Sequence, residues 1–161
     1  MSETVKVSVC SPIHNEEANV DQLIERVHAV MNPMFGSDWE QVLVNDASTD
    51  SSKTKVEAQQ KVRPTLKLYN HETNMRERAG WRTAFDHAKG EVLVLLAGDL
   101  QSPPEEIPKV LAPVTEEGFD LGTGFRSNRQ DGVYYWLATR ILNLFMRVVF
   151  GTQTQDVSSS F

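Results

Sequence analysis

The sequence predicts an α/β domain with a mostly parallel central sheet flanked by helices. Short β-branched or aliphatic runs alternate with longer segments whose apolar residues fall three and four apart, and this alternation is the main observation behind the prediction. Each run ends in a polar or proline-containing turn. The length of 161 residues suits one domain, taken here as residues 1–161.

Val5 to Cys10 alternates Val, Lys, Val, Ser, Val, Cys and reads as a strand that ends in a turn at Ser11 and Pro12. Glu16 to Met31 places Val20, Leu23, Ile24, Val27 and Val30 on one helical stripe, with Asn32, Pro33 and Gly36 stopping it. Trp39 to Val44 is the second strand, and Asn45 to Asp50 forms a polar cluster suited to a turn and a helix N-cap. Ser51 to Val62 is the next helix, Thr65 to Tyr69 the third strand, and Arg76 to Ala88 a helix closed by Gly90. Glu91 to Leu96 is a nearly continuous aliphatic strand, expected at the centre of the sheet. Pro103 and Pro104 open a helix to about Glu117, and Asp120 to Phe125 reads as a fifth short strand after Gly118.

Composition narrows the function. With 16 Lys+Arg against 22 Asp+Glu the net charge is −6, which argues against nonspecific wrapping of nucleic acid, because that needs a cationic surplus. A 40% hydrophobic, 24% charged chain is globular, not disordered or fibrous. The single Cys10 has no disulfide partner in the chain and no neighbours at metal-ligand spacing. It reads as a small buried apolar residue in a reducing, cytoplasmic setting. Met1 to Thr4 carry no basic region of a signal peptide, and the Tyr134 to Phe150 tract is interrupted by Arg140, Asn143 and Arg147, so no spanning segment is expected. That tract, 134–150, suits either packing on the sheet or an interfacial helix lying on a membrane. His28, His71 and His87 read as surface residues.

In a parallel α/β sheet ligands bind beyond the carboxyl ends of the strands, so the polar turns there are the candidate site. Three stand out: Ser11 to Glu17, Asn45 to Asp50 and Ala97 to Glu105. The last places one carboxylate, Asp99, after an aliphatic strand. A hard divalent cation takes oxygen ligands and keeps positions open for phosphate, so one or two carboxylates with a diphosphate make a sufficient cage. No Gly-x-Gly-x-x-Gly follows the first strand, which argues against a nicotinamide-binding Rossmann enzyme.

These loops resemble, in order, those of the inverting family 2 glycosyltransferases, which have the nucleotide-sugar-binding GT-A fold. VSVCSPIHNEEANV resembles the family's opening strand and Pro-x-Tyr-Asn-Glu loop, VLVNDASTD its Asp-Asp-x-Ser-x-Asp loop, and LLAGDLQSPPE its Asp-x-Asp segment. Asp-Leu-Gln followed by two prolines and Glu resembles the branch that glycosylates polyprenyl phosphates, including the dolichyl-phosphate mannose synthases. GTGFRSNR and TQDVSSSF extend the likeness almost to Phe161. The resemblance implies an enzyme that moves a sugar from a UDP- or GDP-sugar to a polyprenyl phosphate, with Mg²⁺ or Mn²⁺ as cofactor. It also favours the membrane reading of 134–150 and a peripheral place at the cytoplasmic membrane face.

Carried over residue by residue, Pro12, His14 and Glu16 would line the nucleotide pocket, with His14 where the family usually has tyrosine. Asp46 would accept a hydrogen bond from base or ribose. Asp99 would hold the metal, beside Gly98, and Gln101 would sit near the sugar. Arg126, Arg129 and Arg140 would bind phosphates, and Asp156 would face the acceptor. The sequence departs from the family at Ala97 and Asn45, each standing for an aspartate, and at Asn74 to Gly80, where relatives carry Asn-x-Gly. Ala97 implies weaker metal affinity. Relatives continue beyond the position of Phe161, so a truncated chain is expected. Two alternatives remain: a family 2 enzyme acting on a glycan hydroxyl, and a nucleotide-sugar-binding module with impaired catalysis.

Overall fold

A computed structural model describes residues 5–124 and residue 140. Four parallel strands, β1 (Val7–Ile13), β2 (Trp39–Asn45), β3 (Leu66–Asn70) and β4 (Val92–Leu95), form a sheet in the order β3-β2-β1-β4. Helices α1 (Val20–Phe35), α2 (Ser52–Gln60), α3 (Glu77–His87) and α4 (Ile107–Thr115) connect and follow them, the last entered through a 3-10 turn at Pro104–Glu106.

Strand parity assigns each side chain to a face. Val7, Val9, Ile13, Trp39, Leu43, Leu66, Val94 and Leu96 share one core with Val20, Leu23, Ile24, Val27 and Met31 of α1, Val56 of α2, and Ile107 and Leu111 of α4. The alternate residues Cys10, Val42 and Val44 pack with Ala84 of α3 on the other face. Each fully buried Leu, Ile, Val or Met of α1 contributes about 1.5–3 kcal/mol.

Several boundaries differ from the sequence reading. β1 continues through Ser11 and Pro12 to Ile13. The Cys10 carbonyl accepts from the Leu96 N–H on the β4 side. Pro12, two residues on, turns to that same side after the β4 register has ended at Cys10, so its missing N–H leaves no ladder bond unmade. α1 passes through Asn32 and Pro33 and stops at Gly36, whose φ of 60° is easy for glycine and whose N–H donates to the Asn32 carbonyl. Pro33 removes only one bond from the last turn.

β4 is an edge strand of the described sheet rather than its centre, and Leu93 and Leu95 are 39% and 37% exposed. An aliphatic run signals burial on two faces but does not say which strands lie beside it. No strand forms among Asp120 to Gly124. Glycines at 122 and 124 weaken strand pairing, and Gly122 lies so close to the Val110 carbonyl of α4 that a Cβ would fall 2.2 Å from it. Residues 134–150 lie outside the described residues except Arg140, an exposed helical residue. No helix among the described residues is long and apolar enough to cross a membrane.

Candidate active site

Sheet order reverses between β1 and β4, because β2 and β3 lie to one side of β1 and β4 to the other. Loops leaving the carboxyl ends on either side of such a switch point diverge and open a crevice. A cavity of about 380 Å³ occupies it, lined by Pro12, Ile13, His14, Glu16, Asp46, Asn74, Arg76, Glu77, Ala97, Gly98 and Asp99. Two other clefts, along β4 and between α1 and the α2–β3 turn, contain none of the predicted site residues.

The first two loops clasp each other. Asn15 N–H donates to Ser48 Oγ at 3.0 Å, and Thr49 N–H donates back to Asn15 Oδ1 at 2.8 Å. Glu16 N–H reaches Ser52 Oγ at 2.8 Å, Glu17 N–H reaches Asp50 Oδ2 at 3.0 Å, and Ser51 N–H reaches Glu17 Oε2 at 3.1 Å. Asp50 also receives the Ser52 N–H, so it is the carboxylate that caps the start of α2. Asn45 uses both ends of its amide, accepting from Ser48 N–H and donating to Asn70 Oδ1 at the end of β3.

Asp46 does different work. Its Oδ1 accepts from Met75 N–H at 2.8 Å and faces His71 Nδ1 at 2.7 Å, while Oδ2 accepts from Arg76 N–H at 2.8 Å. Burial opposes its ionisation, but the Met75 N–H, His71 and the Arg76 N–H outweigh burial and hold the carboxyl below its ordinary value. His71 Nε2 continues to Thr83 Oγ1 of α3 at 2.8 Å. Three of the four lone-pair directions of Asp46 are therefore taken, and the fourth, on Oδ2, receives no donor among the described residues.

His14 Nδ1 lies 2.8 Å from the Asp46 carbonyl oxygen, which can only accept, so the ring donates there. Nε2 then accepts from the amides of Asn15 at 3.3 Å and Asn74 at 3.2 Å. These three contacts fix the orientation of the His14 ring at the cavity wall. Asp99 is exposed, and its Oδ1 accepts the Gln101 N–H at 3.0 Å, while Oδ2 has no partner among the described residues. Gly98 sits where nothing larger fits, since a Cβ there would lie 2.7 Å from Ile13 Cγ2 and 2.9 Å from the Pro12 carbonyl.

Backbone strain gathers in the same place. Among the described residues, the non-glycine residues with positive φ are Asn15, Ala47, Arg76 and Leu100, each in a loop that builds the cavity. Strained backbone persists where the surrounding structure over-determines it, commonly at binding sites.

Of the residues the sequence singled out, the structure places Pro12, His14, Glu16, Asp46, Gly98 and Asp99 around one cavity. Gln101 does not line it and instead fixes Asp99 through its N–H. Arg140 is not a lining residue either, and Arg126, Arg129 and Asp156 lie outside the described residues. Asn74, Arg76 and Glu77 are lining residues that sequence reasoning did not select. Their signal was the departure of Asn74 to Gly80 from the family pattern. His28 and His71 are not surface residues: His28 packs edge-on against Trp39, and the His71 side chain is 9% exposed between Asp46 and Thr83. Burial pushes His28 down to about 4, with the nearby Arg63 charge adding to it. Cys10 is buried, as predicted, and burial followed by the Glu40 charge pushes its thiol up to about 12, far from a nucleophile's range.

The parallel sheet flanked by helices, with a cavity over the carboxyl ends at the switch point, shares its architecture with solved GT-A glycosyltransferases. Residues 8–160 match Glycosyl transferase family 2, and the chain belongs to that family. It is 36% identical over 152 residues to the undecaprenyl-phosphate 4-deoxy-4-formamido-L-arabinose transferase of Salmonella paratyphi A, covering 94% of this chain and 46% of the relative. The chain therefore spans about half the length of the curated relatives it matches. Among solved structures, glucosyl-3-phosphoglycerate synthase from Mycobacterium tuberculosis in complex with phosphoglyceric acid superposes with a TM-score of 0.69 at 22% identity, over 96% of this chain and 55% of that one. S. aureus TarS in complex with UDP superposes with a TM-score of 0.58 at 26% identity, over 69% of this chain and 32% of that one.

Proposed function

We propose that this chain is the nucleotide-sugar-binding and catalytic part of an inverting glycosyltransferase that moves a sugar from a UDP- or GDP-sugar to a polyprenyl phosphate. The observation that carries the reading is the placement of Asp46 and Asp99 on one cavity at the switch point of a family 2 chain. Likeness to the undecaprenyl-phosphate transferases supports the lipid phosphate over a glycan hydroxyl as acceptor. A lipid-linked acceptor also implies work at a membrane surface, with the chain peripheral on its cytoplasmic side.

The residues present fit a divalent cation, Mg²⁺ or Mn²⁺. Among the described residues no three His, Cys, Asp or Glu side chains cluster as a closed metal cage. Asp99 instead offers one open carboxylate oxygen at the cavity rim, which suits a hard cation completed by phosphate oxygens and water. Such a cation, when bound, stabilises the negative charge that the leaving nucleoside diphosphate gains.

The protein's own groups supply the rest. The clasped loops hold Pro12, His14 and Glu16 against the nucleoside, and the remaining lone pair of Asp46 accepts from base or ribose. An acceptor phosphate oxygen attacks the anomeric carbon as the bond from that carbon to the donor phosphate oxygen breaks, which inverts the centre. The second pKa of a monoester phosphate lies near 6, so the acceptor is largely a dianion at neutral pH and needs no general base. In this reading Asp156 orients the acceptor, Arg126, Arg129 and Arg140 bind phosphate, and Gln101 approaches the sugar.

Calorimetric titration of the chain with UDP and GDP, each with and without Mn²⁺, tests the reading alongside Asp99→Ala. One nucleotide should bind in a metal-dependent way, weakened at least about tenfold in the variant, a difference of ~1.4 kcal/mol. Transfer from the matching sugar nucleotide to undecaprenyl phosphate should follow. Binding without any transfer would leave a nucleotide-sugar-binding module, and binding of neither nucleotide would remove the donor-site reading altogether.

A further inference from the structure

Among the described residues, Arg76 is the only Lys or Arg lining the cavity, where Glu16, Asp46, Glu77 and Asp99 supply carboxylates. Its side chain is exposed, and among the described residues its guanidinium enters no hydrogen bond or ion pair; the Arg76 bonds run through the backbone. Its conformation is φ 75° and ψ 161°, a region open almost solely to glycine. The surroundings hold it there: the Arg76 N–H donates to Asp46 Oδ2 at 2.8 Å and Asn74 Oδ1 at 3.1 Å, and its carbonyl accepts from Ala79 N–H at 3.0 Å and Gly80 N–H at 3.2 Å. Glycine would satisfy the same backbone bonds without the strain. The position therefore carries a cation at a cost to stability.

Across the cavity, Ala97 contributes no carboxylate to the wall beside Asp99. Four lining carboxylates repel a diphosphate and a single open one holds a cation weakly, so a further cation is needed, and a planar guanidinium with paired donors suits phosphate oxygens. We propose that Arg76 is a diphosphate-binding residue of this site, its guanidinium holding oxygens of the donor's nucleoside diphosphate before and after the sugar leaves. The proposal rests on the donor-site reading above. It assigns to the protein part of the charge neutralisation that a divalent cation supplies.

Arg76→Gly and Arg76→Lys test it by calorimetry and thermal melting of the full chain. The ligands are UDP and GDP and their nucleosides uridine and guanosine, each with and without Mn²⁺. For whichever diphosphate the wild type binds, Arg76→Gly should lose about tenfold or more in affinity, with nucleoside affinity unchanged and Tm raised, and Arg76→Lys should fall between. Unchanged diphosphate affinity in Arg76→Gly overturns the proposal while metal-dependent binding by the wild type leaves the donor site standing. Equal loss of nucleoside and diphosphate with a lowered Tm marks a purely structural role and also overturns it. If the wild type binds neither diphosphate, both readings fall together.

Discussion

The Asp46 carboxylate and the His71 imidazole meet at 2.7 Å beneath the cavity floor, and the same imidazole reaches Thr83 on α3 at 2.8 Å. This chain of contacts ties the end of β2 to the helix behind the 74–76 loop. The carboxylate also receives two backbone N–H groups of that loop.

Replacing Asp46 with Asn removes charge and acceptor capacity where buried donors depend on both. The expected cost is about 1–3 kcal/mol in a urea melt. Because the folded carboxyl is held below its ordinary value, its contribution is complete above the unfolded pKa and disappears as pH falls through the folded one. Wild type should lose stability through that acid window faster than Asp46→Asn does. Parallel pH profiles would show that the Asp46 charge is not what holds the loop.

Gly80→Ala sets two effects against each other. Alanine within a helix gains about 1 kcal/mol over glycine. The added Cβ would lie 2.7 Å from the ring carbon Cβ of Pro12, which cannot swing aside, and such overpacking costs about 1–3 kcal/mol. The overlap should win, lowering Tm and weakening nucleotide binding, since Pro12 lines the cavity. A raised Tm with intact binding would mean that α3 retreats from β1 without cost.

Arg26 of α1 grips Glu105 through two bonds, Nε to Oε1 at 2.8 Å and Nη2 to Oε2 at 2.5 Å, pinning the segment after Asp99 to the helix. The Arg26 bonds lower the Glu105 carboxyl to about 2, against a small opposing effect of burial. Stability from this pair is therefore present above about pH 4.5 and lost as pH falls towards about 2. Both side chains are partly in solvent, so Glu105→Gln should cost no more than about 1 kcal/mol and less at high salt. A loss several times larger, insensitive to salt, would contradict this account.

Cys10 should resist alkylation by iodoacetamide at pH 8 in the native state and react at once in urea. Its thiol is buried and pushed up to about 12, so neither access nor thiolate is available until the sheet opens. Rapid labelling of the folded chain would place Cys10 outside the core.

Much of this architecture was legible because its signals are local. The apolar stripe of α1, the β-branched runs and the polar loops each declare themselves within a few residues. What was missed depends on neighbours distant in sequence. His71 reads as one more polar loop residue until Asp46, 25 positions earlier, is brought against it. Pro12 resembles a turn former until the end of β4 pairing makes its lost donor harmless. β4 carries the composition of a central strand but lies at the edge of the described sheet. Arg76 was visible as an anomaly, though its backbone angles, set by Asp46 and Asn74, were not.

The proline in β1 has a consequence for how the crevice is maintained. Two strands that part can zip further whenever both still have groups to pair, and a ligand would then have to pry them open. A ring in place of a donor at residue 12 removes the next tooth of that zipper, so no Pro12 N–H can extend the β1–β4 ladder beyond Cys10, and the chain after β4 meets β1 at Gly98 by packing instead. The end of the ladder is written into the covalent chain, one residue type setting where pairing stops.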